Sequence, residues 1–473
     1  MMSDNFLHNG WNIFYPEVSW TGPGPSYQGR EFQLLSYIVA LANAAFGWHE
    51  WMGRLVASLF GVLTTFALHR LTSRIWDVMH AHAAAFCYAV MPGAVMVDTS
   101  FLPDPAMLAL VTVGVWLLVD YTRSEDHDVL LVAIGTLTLG ILSKLPGVSA
   151  IGVIVALTIH LFVRGRQDSG WRIVGPLVVG LIATGAYYSW AVYLGKTYPP
   201  FHIAGNGYVW DVGLKALMDH WFYLPETWHI AKYWFYGVPF VILFGVGLWW
   251  YPPPNRFNTD AVLQNLPLIW LAGSILLYLV AAKEVSSNPW NFHIFHVPLA
   301  IIAGRGLVTL AAAGGRQSAA ILGIARFALI GVSTLCFSSM PLLDAMKYPF
   351  AEEGRVLGEQ LARMSNPDDL VVAIAPTVGD PIAIYYSHRR GWLFPPGGGG
   401  RNWAELMEDG PEAINTLTDL RYKGARWFGV TKNAKDWMGR SFVEHHKELL
   451  AWLDRSAVKI EDTDQVLIYH LTE

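Results

Sequence analysis

Charged residues stand at only a few turns of a chain that is otherwise strongly apolar. The run VDTSFLPDPAMLAL places Asp98 and Asp104 in one short turn, with Asp104 opening the next apolar block. LSKLPGVS sets Lys144 at another turn, and FGWHEWMGRLVASLFG sets Arg54 beside His49, Glu50 and two tryptophans. KEVSSNPWNFHIFHVPLAIIAGRG gathers Lys283, Glu284, His293 and His296. A carboxylate at a membrane boundary positions a cation or a sugar hydroxyl, and a lysine there serves as a point-charge counter-ion for a lipid phosphate. Plainer roles compete with these. Asp104 can be a helix cap worth ~1 kcal/mol, Lys144 can snorkel to head groups, and the tryptophans fit an interfacial belt. Arg54, on the outer side by the parity below, runs against the positive-inside bias, which favours a functional role. His293 and His296 have a spacing that suits a metal on a helix but lack a third ligand, so phosphate or sugar contact is the expectation and no metal is expected.

Membrane helices must position these turns. Hydrophobic residues make up 53% of the 473 and charged residues 15%, with a mean hydropathy of +0.34. A bilayer-crossing helix needs roughly 20 apolar residues. The apolar blocks predict ten spans, near 53–71, 79–97, 104–122, 128–143, 147–164, 173–194, 236–251, 263–282, 293–312 and 320–340, with 32–47 as an interfacial helix. Arg70, Arg74, Arg123, Arg164, Arg166, Arg172, Arg256 and Arg316 fall in alternate loops, which places those loops in the cytoplasm. The opening stretch NGWNIFYPEVSWTGPGPSYQGREF, the Asp98–Asp104 turn, Lys144, residues 195–235 and 283–292 and the C-terminus are then outside.

Beyond about residue 343 the composition shifts to alternating amphipathic and short apolar segments, which predict a small α/β domain. The expected fold is a polytopic all-α membrane domain (residues 53–342), preceded by an external loop with an interfacial helix (1–52) and followed by an extracytoplasmic α/β domain (343–473). Cys87 and Cys336 read as small buried hydrophobes, and the lack of a basic run argues against nucleic acid. PPGGGG at 395–400 lacks the ending of a phosphate-binding loop and reads as a flexible loop. No Gly-rich nucleotide turn or Asp-x-Asp pair is present, so an activated sugar donor would have to be of another kind, and a polyprenyl phosphate sugar meets that requirement.

Taken in order, REFQLLSYI, FGWHEWMGRLVASLFGVLTTFALHRL, SFLPDPAMLAL, LSKLPG and NPWNFHIFHVPLAIIAGRGL resemble the GT-C glycosyltransferases of the protein-mannosyltransferase and aminoarabinose-transferase type. Arg54-Leu55 stands at the Arg-Leu pair, Asp104 at the span-opening Asp, and Lys144 at the Lys-Gly/Pro turn, while Gln33 stands where Pro is common. The resemblance implies inverting transfer from a polyprenyl phosphate sugar to a glycan, lipid or protein acceptor, with no further cofactor. A carboxylate deprotonates the attacking hydroxyl, and Arg and Lys stabilise the charge on the departing phosphate. In the family the catalytic Asp follows a first span, and this chain starts about where that Asp is already past. The role then passes to an upstream piece or to Asp4, Glu17 or Glu31. Arg30, Arg54, Lys144, Lys283, His293 and His296 are the expected lipid-phosphate and sugar contacts, with Asp104 as a further catalytic carboxylate. The resemblance and the outer appendage fit a bacterial inner-membrane protein of the cell envelope. A transporter or lipid carrier, or an inactive N-terminally truncated lipid-binding relative, are the alternatives. Transport paths usually place ionisable groups at mid-membrane, whereas the polar groups here gather at the outer ends of the expected spans.

Overall fold

The computed structural model describes residues 1–202, 215–249, 251, 260–312, 323, 326, 328–336, 340, 351–397 and 404–471. Two compact units emerge. The first comprises Met1–Arg30, Ala191–Ala204 and Tyr348–Glu473, and the second Glu31–Trp190 and Gly205–Lys347. Residues 1–30 and 31–52, expected to form one external segment, therefore fall in different units.

In chain order the first nine helices are α1 (Met2–Asn9), α2 (Leu34–Phe46), α3 (Met52–Ile75), α4 (Val78–Val90), α5 (Pro92–Asp98), α6 (Asp104–Ser124), α7 (His127–Ser143), α8 (Ile151–Val163) and α9 (Gln167–Thr197). Among the described residues, five helical stretches are long and apolar enough to cross a membrane. They are α3, α6, Leu145–Val163, α9 and Trp290–Ala312, and a sixth arises if α4 and α5 are taken as one span bent by 65°. The break falls at Pro92, which has no backbone N–H to continue the ladder of α4. Ten spans were expected, and three of the difference are physically plain. The expected spans at 128–143, 236–251 and 263–282 coincide with apolar helices of 17, 13 and 15 residues, shorter than the roughly 20 that cross a bilayer upright. The expected span at 320–340 lies partly outside the described residues.

The second unit is organised by helix hairpins. Helix α6 ends at Glu125 in the left-handed region (φ 54°), and the Asp126 carboxylate accepts from the Asp128 N–H to start α7. A Cβ on Gly114 would meet Leu137, and one on Gly140 would meet Val111 at 2.8 Å, so these glycines let α6 and α7 run in close contact. The two helices have 21 and 17 residues, so at about 1.5 Å per residue the chain returns near the start of α6. Gly247 and Gly306 serve the same purpose elsewhere. A Cβ on either would strike the facing carbonyl, of Ile302 or of Leu243.

Cations of the loops expected to be cytoplasmic find acceptors on neighbouring helix ends. Arg74 Nε lies 2.7 Å from Asp120, Arg123 donates to the Arg74 carbonyl at 2.5 Å, and Arg166 pairs with Glu125 and Arg164 with Asp260. These contacts join the ends of α3 and α6 and link the α8–α9 turn to Glu125 and Asp260. Arg256 and Arg316 lie outside the described residues.

The first unit holds a five-stranded sheet in the order β2-β1-β3-β5-β4, with β1 Leu370–Ile374, β2 Gly391–Leu393, β3 Ala425–Thr431, β4 Val458–Asp462 and β5 Val466–His470. The β1 strand pairs in parallel with β2 and β3, and β5 runs antiparallel to β3 and β4. The apolar run LVVAI of β1 suits a strand covered on both faces. Val372 and Ile374 join Leu417 and Leu453 on one face, and Val371 and Ala373 join Leu357 and Leu361 on the other. Val18 and Trp20 complete this second core. Their neighbours are tied to the sheet edge: Gly391 N–H donates to the Ser19 carbonyl at 3.0 Å, and Gly22 N–H to the Gly391 carbonyl at 2.6 Å. The opening stretch is thus part of the α/β unit.

His446 lies buried in this unit, stacked on Phe442 with ring centres 4.3 Å apart. Burial, and then the neighbouring His445 charge, push its imidazole down to about 4 from an ordinary 6.5. The unfolded chain therefore binds a proton that the folded chain refuses. The stability tied to His446 is complete above pH 6.5 and is lost as pH falls toward 4. In His446→Phe, the thermal midpoint measured by differential scanning fluorimetry should fall less over that window than in the wild type.

Candidate active site

The α6–α7 hairpin brings Asp104, the first residue of α6, against Lys144, which follows α7 in an extended conformation. Lys144 Nζ donates to Asp104 Oδ1 and Oδ2 at 2.8 and 2.9 Å and to Asn291 Oδ1 at 2.7 Å. All three ammonium donors are taken. Asp104 is 1% exposed and Lys144 7%, so the lysine does not snorkel to the surface, and the aspartate makes no side-chain cap bond. Asn291 sits in the short turn Pro289–Phe292, and its amide donates to the Glu284 carbonyl at 3.0 Å.

A second polar cluster uses the same two turns. The Tyr88 hydroxyl donates to Asp98 Oδ2 at 2.9 Å, and His293 Nε2 lies 3.1 Å from Asp98 Oδ1. His293 and His296 meet through their Nδ1 atoms at 2.9 Å. Both imidazoles are fully buried. A Cβ on Gly61 would lie 2.7 Å from the Asp98 side chain, and one on Gly93 would lie 2.9 Å from His296 Nε2. Among the described residues, no group of three or more His, Cys, Asp or Glu side chains is arranged to hold a metal ion.

Glu31 begins the same unit. Its carbonyl accepts from the Tyr187 hydroxyl at 2.8 Å and from Gln33 Nε2 at 3.1 Å. The next residue, Phe32, donates its N–H to the Leu142 carbonyl at 3.2 Å, two positions before Lys144. The backbone at Glu31 is thus pinned to the turn that carries Lys144, and its half-buried carboxylate is in no ion pair or hydrogen bond among the described residues. Of the other two carboxylates considered for the base, Glu17 pairs with Arg390 and accepts from Asn9, and Asp4 stands in the first turn of α1, in the first unit.

The expected cations are distributed differently. Arg54 is exposed near the start of α3 and makes no ion pair among the described residues. Lys283 is exposed in the turn of helix Ala282–Ser287. Arg30 lies in the first unit, where burial and then its positive charge hold the His202 imidazole at about 4. Tyr88 and Asn291 were not anticipated. A hydroxyl or amide inside an apolar block carries no periodic signal, although Asn291 does stand beside His293 in the quoted segment.

Residues 33–190 match the family described as dolichyl-phosphate-mannose-protein mannosyltransferase, a stretch that includes Asp98, Asp104 and Lys144. No curated protein sequence matches the chain. Among solved structures, ArnT from Cupriavidus metallidurans bound to undecaprenyl phosphate is similar over 100% of this chain and 92% of its own, with a TM-score of 0.63 at 12% identity. The oligosaccharyltransferase of Archaeoglobus fulgidus, tethered to an acceptor peptide, is similar over 100% of this chain and 69% of its own, with a TM-score of 0.60 at 13% identity. The fold is the GT-C glycosyltransferase fold. Arabinofuranosyltransferase AftD from mycobacteria shares this GT-C fold over 97% of the present chain but only 37% of its own length, with a TM-score of 0.56 at 12% identity. Within the GT-C fold of this chain, the turn that opens α6 and the turn that closes α7 hold the buried Asp104–Lys144 pair.

Proposed function

We propose that the protein transfers a sugar from a polyprenyl phosphate donor to a hydroxyl acceptor at the extracytoplasmic face of the inner membrane. The observation that carries this reading is the buried contact of Lys144 with Asp104 and Asn291, beside the chain that presents Glu31. Asp104 holds both of its oxygens on the buried Lys144 ammonium and so fixes its direction. Asn291 is its one neutral acceptor, and a phosphate oxygen replacing that amide oxygen gains a charge-assisted hydrogen bond. Arg54 supplies a second cation for the same phosphate.

In the reaction, Glu31 takes the proton of the acceptor hydroxyl while the oxygen attacks the anomeric carbon from the face opposite the phosphate. The bond between that carbon and the phosphate oxygen breaks, its electron pair leaves with the polyprenyl phosphate, and the configuration inverts. Lys144 and Arg54 stabilise the charge that develops on the leaving group. The acceptor is a glycan, lipid or protein hydroxyl.

Binding tests the phosphate contacts without needing turnover. Native mass spectrometry or a fluorescent-lipid titration in nanodiscs should show polyprenyl phosphate bound by the wild type. Arg54→Ala should weaken it about tenfold, the loss of one charged hydrogen bond. Affinity for polyprenyl phosphate equal to that for the uncharged polyprenol would oppose the assignment.

A further inference from the structure

A cavity lies in the opening stretch, in the unit that carries the sheet. Of about 290 Å³, it is lined by Asn9, Trp11, Asn12, Tyr15, Glu17 and Tyr27, with Asn5 at its back. Asn9, Trp11 and Asn12 are exposed and form the mouth. The walls are built and held. Asn5 donates to the Glu17 carbonyl at 2.8 Å, Asn9 donates to Glu17 Oε2 at 2.7 Å, and Asn12 Oδ1 accepts the Phe14 N–H at 3.1 Å. Tyr15 and Tyr27 pack edge to face, 5.1 Å between ring centres, and Tyr27 packs likewise on Tyr198 at 5.0 Å.

The chemistry of this lining is narrow. Planar amides offer a donor and an acceptor side by side, which matches vicinal hydroxyls. Aromatic faces give a flat apolar wall for a ring that is polar at its rim. The carboxylate of Glu17 is paired with Arg390, which contacts its other oxygen, and among the described residues neither lysine nor arginine lines the cavity. A phosphate would face a carboxylate with no cation among the described residues of the wall, and a purely apolar ligand would leave the unused donors and acceptors of the Asn9 and Asn12 amides unmet. The volume lies at the small end of ligand pockets, which run roughly 300–1,000 Å³. We propose that this cavity binds a neutral saccharide of about one ring. The inference goes beyond the transfer reaction and stands whether or not the Glu31 site transfers sugar.

Saturation-transfer NMR on the full chain in nanodiscs, with methyl glycosides of glucose, galactose, mannose and arabinofuranose as probes, tests it. At least one neutral glycoside should receive saturation. Trp11→Ala and Asn9→Ala should each weaken that binding about tenfold, with the thermal midpoint of each variant reporting that the fold persists. Glu31→Gln should leave saccharide binding in place even where transfer is lost, which separates this site from the transfer site. Silence from every glycoside, equal binding by both variants with an intact fold, or displacement of the glycoside by inorganic phosphate would each overturn the assignment.

Discussion

Glu31→Gln should abolish most sugar transfer while leaving the fold unchanged. Removing a general base costs about 10²–10⁴-fold in rate, and the amide of glutamine is nearly isosteric with the carboxylate it replaces. Glu31 keeps its backbone anchors in this variant, because Tyr187 and Gln33 bond its carbonyl and not its side chain. The thermal midpoint should therefore match the wild type, and binding of the polyprenyl phosphate donor should change little. Turnover measured with a lipid-linked sugar reads the loss directly. Equivalent losses in Asp4→Asn or Glu17→Gln, with Glu31→Gln active, would move the base elsewhere.

The Asp104–Lys144 pair should behave in the opposite way, with stability responding first. Both groups are nearly inaccessible, and removing one partner of a buried pair leaves an uncompensated charge at a cost of about 3–5 kcal/mol. Lys144→Met strands the Asp104 carboxylate, and Asp104→Asn strands the ammonium. The double variant Asp104→Asn/Lys144→Met removes both charges, and replacing a whole buried pair is often neutral or better. Thermal midpoints should thus fall in each single variant and recover in the double. Transfer should be lost in all three, because the recovered double variant still lacks the cation for the leaving phosphate. Wild-type turnover in the double variant would reduce the pair to a structural brace. Additive losses of stability, without recovery, would show that the two charges do not compensate each other.

Much of the second unit was legible because its physics is local. Asp104 and Lys144 stood out as charges bounding apolar blocks, and the lengths of α6 and α7 are enough to return one to the other. Arg74, Arg166 and Arg164, all in loops of one expected parity, pair with Asp120, Glu125 and Asp260 respectively. The number of spans was less legible. An apolar block predicts burial but not length across a bilayer, and Pro92 breaks a block that hydropathy reads as continuous. The depth of the histidines was not legible, because His-x-x-His spacing says nothing of it, whereas small residues such as Gly61 and Gly93 open the space in which Asp98 and His296 are buried. The opening stretch was the least legible. Its aromatic, Gly- and Pro-rich composition identified a loop, yet its partner is the edge of β2, far along the chain, and long-range pairing of irregular backbone leaves no periodic signal.

The central claim is that sugar leaves a polyprenyl phosphate at this site. The most direct measurement reconstitutes the full chain in liposomes with polyprenyl phosphate sugars and quantifies free polyprenyl phosphate over time, alongside Glu31→Gln. The account predicts release of polyprenyl phosphate by the wild type, tied to sugar appearing on an acceptor, and release slowed about 10²-fold or more in the variant. Release at the same rate in both proteins, or transport of the intact lipid-linked sugar between leaflets with no release, would contradict it.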